Sequence, residues 1–312
     1  CTRFFGRQHF VAAVAQPFIL RIFGGVLREG VEDGYQEGAK PQARYFRSKD
    51  ALAGISAYES VRLFEGNRIT LGFDYQNIYG NAYYTSRETG AILETQNKQS
   101  GRVHNDEVAV YLDIRQDVAS WLTLDAGIRW DNHSVTGSEW IPQAGLVVRP
   151  SDNGELKATV SKGFRNPTMR EMYLYPPSNE DLEPEKMMNY ELAWKQRTSC
   201  LTYGINLFLI KADNIIQTVE RKNVNTGEIE NKGIEVEAAW HINNNWILET
   251  NHSMLNMKYH VLAAPEYKGM LGVRYVNGKF NGGLNVQQLA GLFTAIGANE
   301  HKENATLVNL DF

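Results

Sequence analysis

Four stretches of this chain place apolar side chains on one parity and polar or charged side chains on the other. In 106–118 the even set includes Val108, Val110, Leu112, Ile114 and Val118, and the odd set includes Glu107, Asp113, Arg115 and Asp117. In 121–131, Leu122, Leu124, Ala126, Ile128 and Trp130 oppose Thr123, Asp125, Arg129 and Asp131. In 188–197, Met188, Tyr190, Leu192 and Trp194 oppose Asn189, Glu191, Lys195 and Arg197. In 233–242, Ile234, Val236, Ala238, Trp240 and Ile242 oppose Glu235, Glu237 and His241. Side chains of a strand alternate between its two faces, so each segment has one apolar and one ionic face. A half-buried soluble strand alternates too, but these apolar faces run about 9–11 residues, the length with which a tilted strand crosses a bilayer. The pattern predicts an all-β fold, an antiparallel transmembrane β-barrel with a wet interior.

Composition supports this mainly by exclusion. At 312 residues, 43% hydrophobic and 22% charged, the chain has no run of about 20 apolar residues to make a spanning helix. A barrel escapes hydropathy analysis because half of each strand is polar. The net charge of −4 and pI of about 6.0, with no basic cluster, give no case for nucleic acid. Cys1 and Cys200 have no metal-like spacing, and two cysteines are too few for a disulfide framework. The 6 Trp and 15 Tyr suit interfacial girdles, although a large soluble β-core would use them as well.

The first 41 residues do not share the alternation. Phe10 to Leu27 is apolar behind Arg3 and Arg7, yet Pro17, Arg21 and Gly24-Gly25 interrupt it, unlike the core of a signal peptide. Residues 1–41 are therefore read as an irregular, uncertain edge, and 42–312 as the partial barrel. Strands are expected near 42–50, 51–64, 68–80, 105–118, 121–133, 140–150, 156–164, 186–198, 201–214, 230–242, 246–259, 266–276, 280–289 and 305–312. That makes about 14. Glu65-Gly66-Asn67, Asp152-Asn153-Gly154, Asn243-Asn244-Asn245 and Asn277-Gly278-Lys279 read as tight turns. Connections at 81–104, 165–185, 215–229 and 290–304 are expected to be long. Long and short connections alternate over most of the chain, as in outer-membrane barrels. Trp121 and Trp130 differ in parity, so without a bulge both cannot face lipid.

Three segments carry a family likeness. They are Ser161-Lys162-Gly163-Phe164-Arg165-Asn166-Pro167 followed by Glu171-Met172-Tyr173; Asn179-Glu180-Asp181-Leu182-Glu183-Pro184-Glu185 followed by Asn189-Tyr190-Glu191; and Asn231-Lys232-Gly233-Ile234-Glu235-Val236-Glu237. Their order and spacing resemble the barrel of TonB-dependent outer-membrane receptors over roughly 42–312. The resemblance implies a barrel of roughly 22 strands closed by an N-terminal plug, in the outer membrane of a Gram-negative bacterium. It implies uptake of a ferric siderophore, haem or cobalamin, with energy delivered by a TonB-type coupling protein pulling on the plug. No plug or coupling box is found before residue 42, and about 14 strands fall short of 22. The chain therefore reads as the middle of a longer receptor. Haem receptors of the family usually carry a His between the first two motifs, and 165–185 has none. A ferric siderophore is thus the leading ligand and cobalamin the next, on family size alone.

Under that resemblance Phe164, Arg165, Pro167, Glu171, Asn179, Leu182, Pro184, Glu185, Asn231, Gly233 and Glu235 are structural motif positions. Pro167 suits a strand exit because it fixes φ and donates no hydrogen bond, and Gly233 suits close approach of a neighbour. Asp113, Arg115, Arg129 and Asp131 are expected on the lumen wall or against the plug. Tyr83, Tyr84, Tyr173 and Tyr175, in expected outer loops, are the ligand-contact candidates, since Tyr offers rigid amphipathic area. The seven His have no metal-like spacing, no cofactor is implied, and no nucleophile elbow, His-Glu-x-x-His, P-loop or dinucleotide fingerprint occurs. An outer-membrane barrel lipase or protease, or a soluble β-sandwich binding module, remains the alternative.

Overall fold

A computed structural model describes residues 19–24, 28–32, 44–95, 102–173 and 177–312. Among these residues sixteen strands make one antiparallel sheet. They are β1 (Ile19–Gly24), β2 (Arg28–Glu32), β3 (Arg44–Val61), β4 (Asn67–Ser86), β5 (Ile92–Thr95), β6 (Arg102–Ala119), β7 (Leu122–His133) and β8 (Gly137–Ser151), followed by β9 (Gly154–Arg165). After a short helix α1 (Met169–Tyr173) come β10 (Glu185–Arg197), β11 (Leu201–Val219), β12 (Lys222–His241), β13 (Trp246–Met257), β14 (Pro265–Asn277), β15 (Phe280–Ala295) and β16 (His301–Asp311). From β6 onward each strand pairs with the next. The short β5 flanks β4, and both β1 and β2 pair with β3. Among the described residues no pairing joins β16 to β1, β2 or β3, so the sheet is open.

Register carries the alternation across strands. Leu71, Leu112 and Ile128 stand side by side on β4, β6 and β7. Leu192, Leu207, Ile234 and Met254 do the same on β10 to β13. These residues lie on the convex side, where Leu71 is 58% and Met254 54% exposed. Leu, Ile, Val and Trp populate this surface over most of the sheet, an area far beyond what a soluble monomer leaves in water. In a bilayer the same face is the favourable one. The few fully buried large side chains, Phe293, Met172, Thr123 and Asp131, sit at strand ends, under loops or on the inner wall.

The sixteen strands differ in detail from the fourteen expected. The segments 42–50 and 51–64 are one strand, β3, because the pairing with β4 runs unbroken from Arg44 to Val61. Three strands, β1, β2 and β5, lie outside the expected set, and β1 and β2 fall within 1–41. The turns after β3, β6, β8, β10, β12 and β14 all fall at one end and are short. The other end is less uniform than expected. The segment 215–229 is not a long loop: β11 runs to Val219 and β12 starts at Lys222. Likewise β15 reaches Ala295 and β16 starts at His301, and β4 continues to Ser86. These strands exceed the 9–11 residues that a bilayer needs and project into water, where a paired backbone needs no apolar face. Trp121 sits in the turn before β7 rather than in the strand, and Trp130 stands opposite Trp140 on the outer face, which removes the parity conflict.

Candidate functional site

The described part of the connection from β9 to β10 folds back on the wall. Arg165, the last residue of β9, stands opposite Glu185, the first of β10. Its Nε donates to Glu185 Oε2 at 2.7 Å and its Nη2 to Oε1 at 2.6 Å, a two-pronged pair. The same guanidinium donates to both oxygens of Glu171, at 2.9 and 3.1 Å. Pro167 is buried and releases the chain from the ladder. Helix α1 then starts with a capping box: the Thr168 amide donates to Glu171 Oε2 at 2.7 Å, and the Glu171 amide to Thr168 Oγ1 at 3.2 Å. Burial pushes the Glu171 carboxyl up, but Arg165 and the Thr168 amide and hydroxyl outweigh it, so its pKa lies below the usual value.

Glu171 is thus the joint between strand end and helix. The rest of the loop is fastened to the projecting β11–β12 hairpin. The Asn179 amide donates to Glu171 O at 3.0 Å, and Asn179 Nδ2 to Asn223 O at 2.8 Å. Asn223 Nδ2 returns a bond to Glu171 O at 3.0 Å. The Glu183 amide donates to Asn225 Oδ1 at 2.9 Å, and Asn225 Nδ2 to Glu183 O at 2.8 Å. Glu185 Oε1 accepts the Ile216 amide at 2.9 Å. Leu182 and Met172 are buried beneath these contacts, with Pro184. The first two motifs therefore meet in one scaffold that fixes the loop.

That scaffold roofs a chamber. Met169 reaches across to the inner face of β4, where a methyl group added at Gly80 would lie 2.9 Å from its Sδ. Between residues 164–170 and the inner walls of β3, β4, β6 and β7 lies a cavity of about 760 Å³. Phe46, on the inner face of β3, gives it aromatic surface; Asp50, Glu107, Asp131, Arg129 and Arg170 give it charge of both signs. On its wall Arg129 Nη1 donates to Asp74 Oδ2 at 2.5 Å, and Nη2 to Asp131 Oδ2 at 3.0 Å. The Tyr111 ring lies 5.7 Å from the same guanidinium. Asp131 is 1% exposed, and its Oδ1 and the Oδ1 of buried Asn105 have no hydrogen-bond donor among the described residues.

The other candidates are spread out. Asp113 accepts Gln143 Nε2 at 2.7 Å, and Arg115 pairs loosely with Asp117 and Asp125, both at 4.0 Å. Tyr83 and Tyr84 lie in β4, not in a loop, because pairing to β3 continues past them. There Tyr84 meets Phe46 edge-on at 5.5 Å with Arg44 stacked at 4.0 Å. Tyr173 ends α1 half-buried, its phenol pKa raised by burial and by Glu180. Tyr175 falls outside the described residues. Asn231, Gly233 and Glu235 are on β12, well away from the chamber. The Phe208 ring lies over Gly233, so an added Cβ would be 2.5 Å from its Cζ. Asn206 Nδ2 donates to Glu235 at 3.3 Å. Sequence reasoning missed Asp74, Asn105, His133, Asn223 and Asn225. Among the described residues no group of three or more His, Cys, Asp or Glu could hold a metal ion.

This architecture has clear relatives. The vitamin B12 transporter BtuB of Vibrio vulnificus is 23% identical over 216 residues, 67% of this chain and 33% of that protein. A probable TonB-dependent siderophore receptor, PirA of Acinetobacter baumannii, is 24% identical over 194 residues, 49% of this chain and 26% of that protein. Among solved structures, a mutant of the ferric enterobactin receptor PfeA from Pseudomonas aeruginosa superposes with a TM-score of 0.69 at 14% identity, covering 94% of this chain and 50% of that one. The chain thus spans about a quarter to a third of the curated relatives' length and half of that structure's. The family model described as TonB dependent receptor-like, beta-barrel matches residues 20–311, and the chain belongs to that family.

Proposed function

We propose that this chain is wall and mouth of an outer-membrane receptor that takes up a scarce nutrient with energy supplied by a TonB-type partner. The observation that carries this is the roofed chamber. A wall that is apolar outside and charged inside bears a loop anchored through Arg165 that closes over about 760 Å³ of mixed aromatic and polar surface. Residues 42–312 supply the barrel wall, and β1 and β2 extend its sheet beside β3. Asp113, Arg115, Arg129 and Asp131 line the lumen, where they face ligand or plug. Tyr83, Tyr84 and Tyr173 stand at the loop-bearing end, where a ligand first arrives. Arg129 and Asp131 are held in an ion pair and Asp113 accepts a hydrogen bond from Gln143, and the role assigned to these wall charges is passage rather than catalysis.

A ferric siderophore is the proposed ligand; the Phe46 ring and the arginines Arg129 and Arg170 of the chamber suit an aromatic, anionic chelate. Cobalamin is the second reading, favoured by the likeness to a vitamin B12 transporter over 67% of the chain. The test is uptake by cells lacking and regaining the full-length gene, with radiolabelled iron on a panel of siderophores and with labelled cobalamin. Gene-dependent uptake of a ferric chelate, abolished without proton-motive force, supports the reading. Gene-dependent uptake of cobalamin alone selects the second, and no dependence for any of them overturns both.

A further inference from the structure

The chamber wall holds two buried oxygens that the described fold does not satisfy. Asp131 is 1% and Asn105 2% exposed, both line the cavity, and the Oδ1 of each accepts no hydrogen bond among the described residues. A buried acceptor without a donor forfeits its hydration for nothing, so two of them on one cavity wall call for a partner. Register places them side by side. Asn105 and Glu107 stand two residues apart on the inner face of β6, Glu107 is opposite His133 on β7, and Asp131 is the next inward residue of β7. Three acceptor groups therefore border one spot of the cavity that residues 164–170 roof.

The charges around that spot decide which partner fits. Arg129 is divided between Asp131 Oδ2, 3.0 Å from its Nη2, and Asp74 Oδ2, 2.5 Å from its Nη1. Glu107 accepts the neutral Gln76 amide at 2.5 Å. His133 accepts the amides of Val135 and Thr136 at Nδ1, so its ring carries no proton there and adds no charge. Asp74, Glu107 and Asp131 thus set three carboxylates against one guanidinium, while Asp50 and Arg170 elsewhere on the lining cancel. Carboxylates gathered in this way repel unless a proton or a cation lies between them. A proton shared by Asp131 and Glu107 would leave Asn105 Oδ1 unfilled. A neutral amide would fill hydrogen bonds and leave the negative charge in excess. A primary ammonium meets both needs: it brings one positive charge and three N–H donors, and it accepts nothing.

We propose that Asp131, Asn105 and Glu107 form a subsite for a protonated primary amine on the incoming chelate, which is anionic at its iron-binding groups and cationic on one arm. This rests on the receptor reading above and narrows its ligand. The full-length receptor in detergent is titrated calorimetrically with a synthetic ferric tris-catecholate bearing a free primary amine, and with the same chelate acetylated at that nitrogen. The amine form is expected to bind about thirtyfold more tightly, the worth of one charge-assisted hydrogen bond. Asp131→Asn should cut that ratio to about threefold, and Asn105→Ala, which leaves the Arg129 ion pair intact, to about tenfold. Glu249→Gln, on β13 and outside the cavity, leaves the ratio as it is. Equal binding of the two forms, or a ratio that neither Asp131→Asn nor Asn105→Ala changes, would overturn the proposal. So would a structure of the full-length receptor with one of its own cationic side chains on Asp131 Oδ1. If the acetylated chelate binds as tightly and is taken up, only this inference falls; if neither form binds, the ferric-chelate reading falls with it.

Discussion

Replacing Arg165 by Ala tests the loop scaffold most directly. Its guanidinium makes four charge-assisted hydrogen bonds, to Glu185 and Glu171. The Arg165 side chain is 43% exposed, Glu171 26% and Glu185 15%. A fully exposed pair is worth about 0.2–1 kcal/mol, and breaking a buried one costs about 3–5. Removing Arg165 leaves two half-buried carboxylates close together, so the loop should loosen by about 2–3 kcal/mol, or roughly 30- to 150-fold in its opening equilibrium. Hydrogen exchange reads this at three amides: Ile216, which donates to Glu185; Asn179, which donates to Glu171 O; and Asn223, which donates to Pro177 O. They should exchange faster by that factor while the amide of Leu207, inside the band, does not change. Arg165→Lys keeps the charge without the two-pronged geometry and should fall between. Acid should mimic the Ala variant. The Glu171 pKa is lowered in the fold, so its contribution is present above the ordinary carboxylate pKa of about 4.3 and is lost as pH falls through the lowered value. Less than a threefold change at all three amides would show that Arg165 does not hold the loop.

Three further outcomes follow from the wall. Leu207→Arg, on the lipid face, should cost about 2–4 kcal/mol of folding into bilayers, whereas Asn206→Arg on the inner face should cost under about 1, measured by urea titration in lipid vesicles; equal costs would sink the parity assignment. Gly233→Val drives a side chain into the Phe208 ring, and about 1–3 kcal/mol should be lost in the same titration; Phe208→Ala in the same chain should restore part of it. Arg129→Met strands Asp74 and the buried Asp131 and should cost about 3–5 kcal/mol, largely recovered when Asp131→Asn is added, a pattern that independent sites would not produce.

What could be read from residues alone was the part governed by period. Val110, Ile128, Leu192 and Val236 announce an outward face because solvent and lipid divide each strand at every second residue, whatever its partner. The tight turns were legible for a similar local reason, since Gly66 and Gly278 adopt the positive φ that such turns require. The projecting halves of β11 and β12 were not. In 215–229 Thr, Asn and Gln fall on both faces, so nothing periodic marks a strand that is held only by its partner. The candidate site divides along the same line. Arg165 and Glu171 of the first motif and Glu185 of the second stood out because each motif is a short continuous run, and the two lie at the ends of one connection. Asp74 meets Arg129 only because the registers of β4 with β6 and of β6 with β7 bring them to one place on the wall. Asn223 finds Asn179 only because the β11–β12 hairpin extends beyond the band. A chamber built from register and from projecting hairpins has no local signature, and its wall residues can be named only once the strands are aligned.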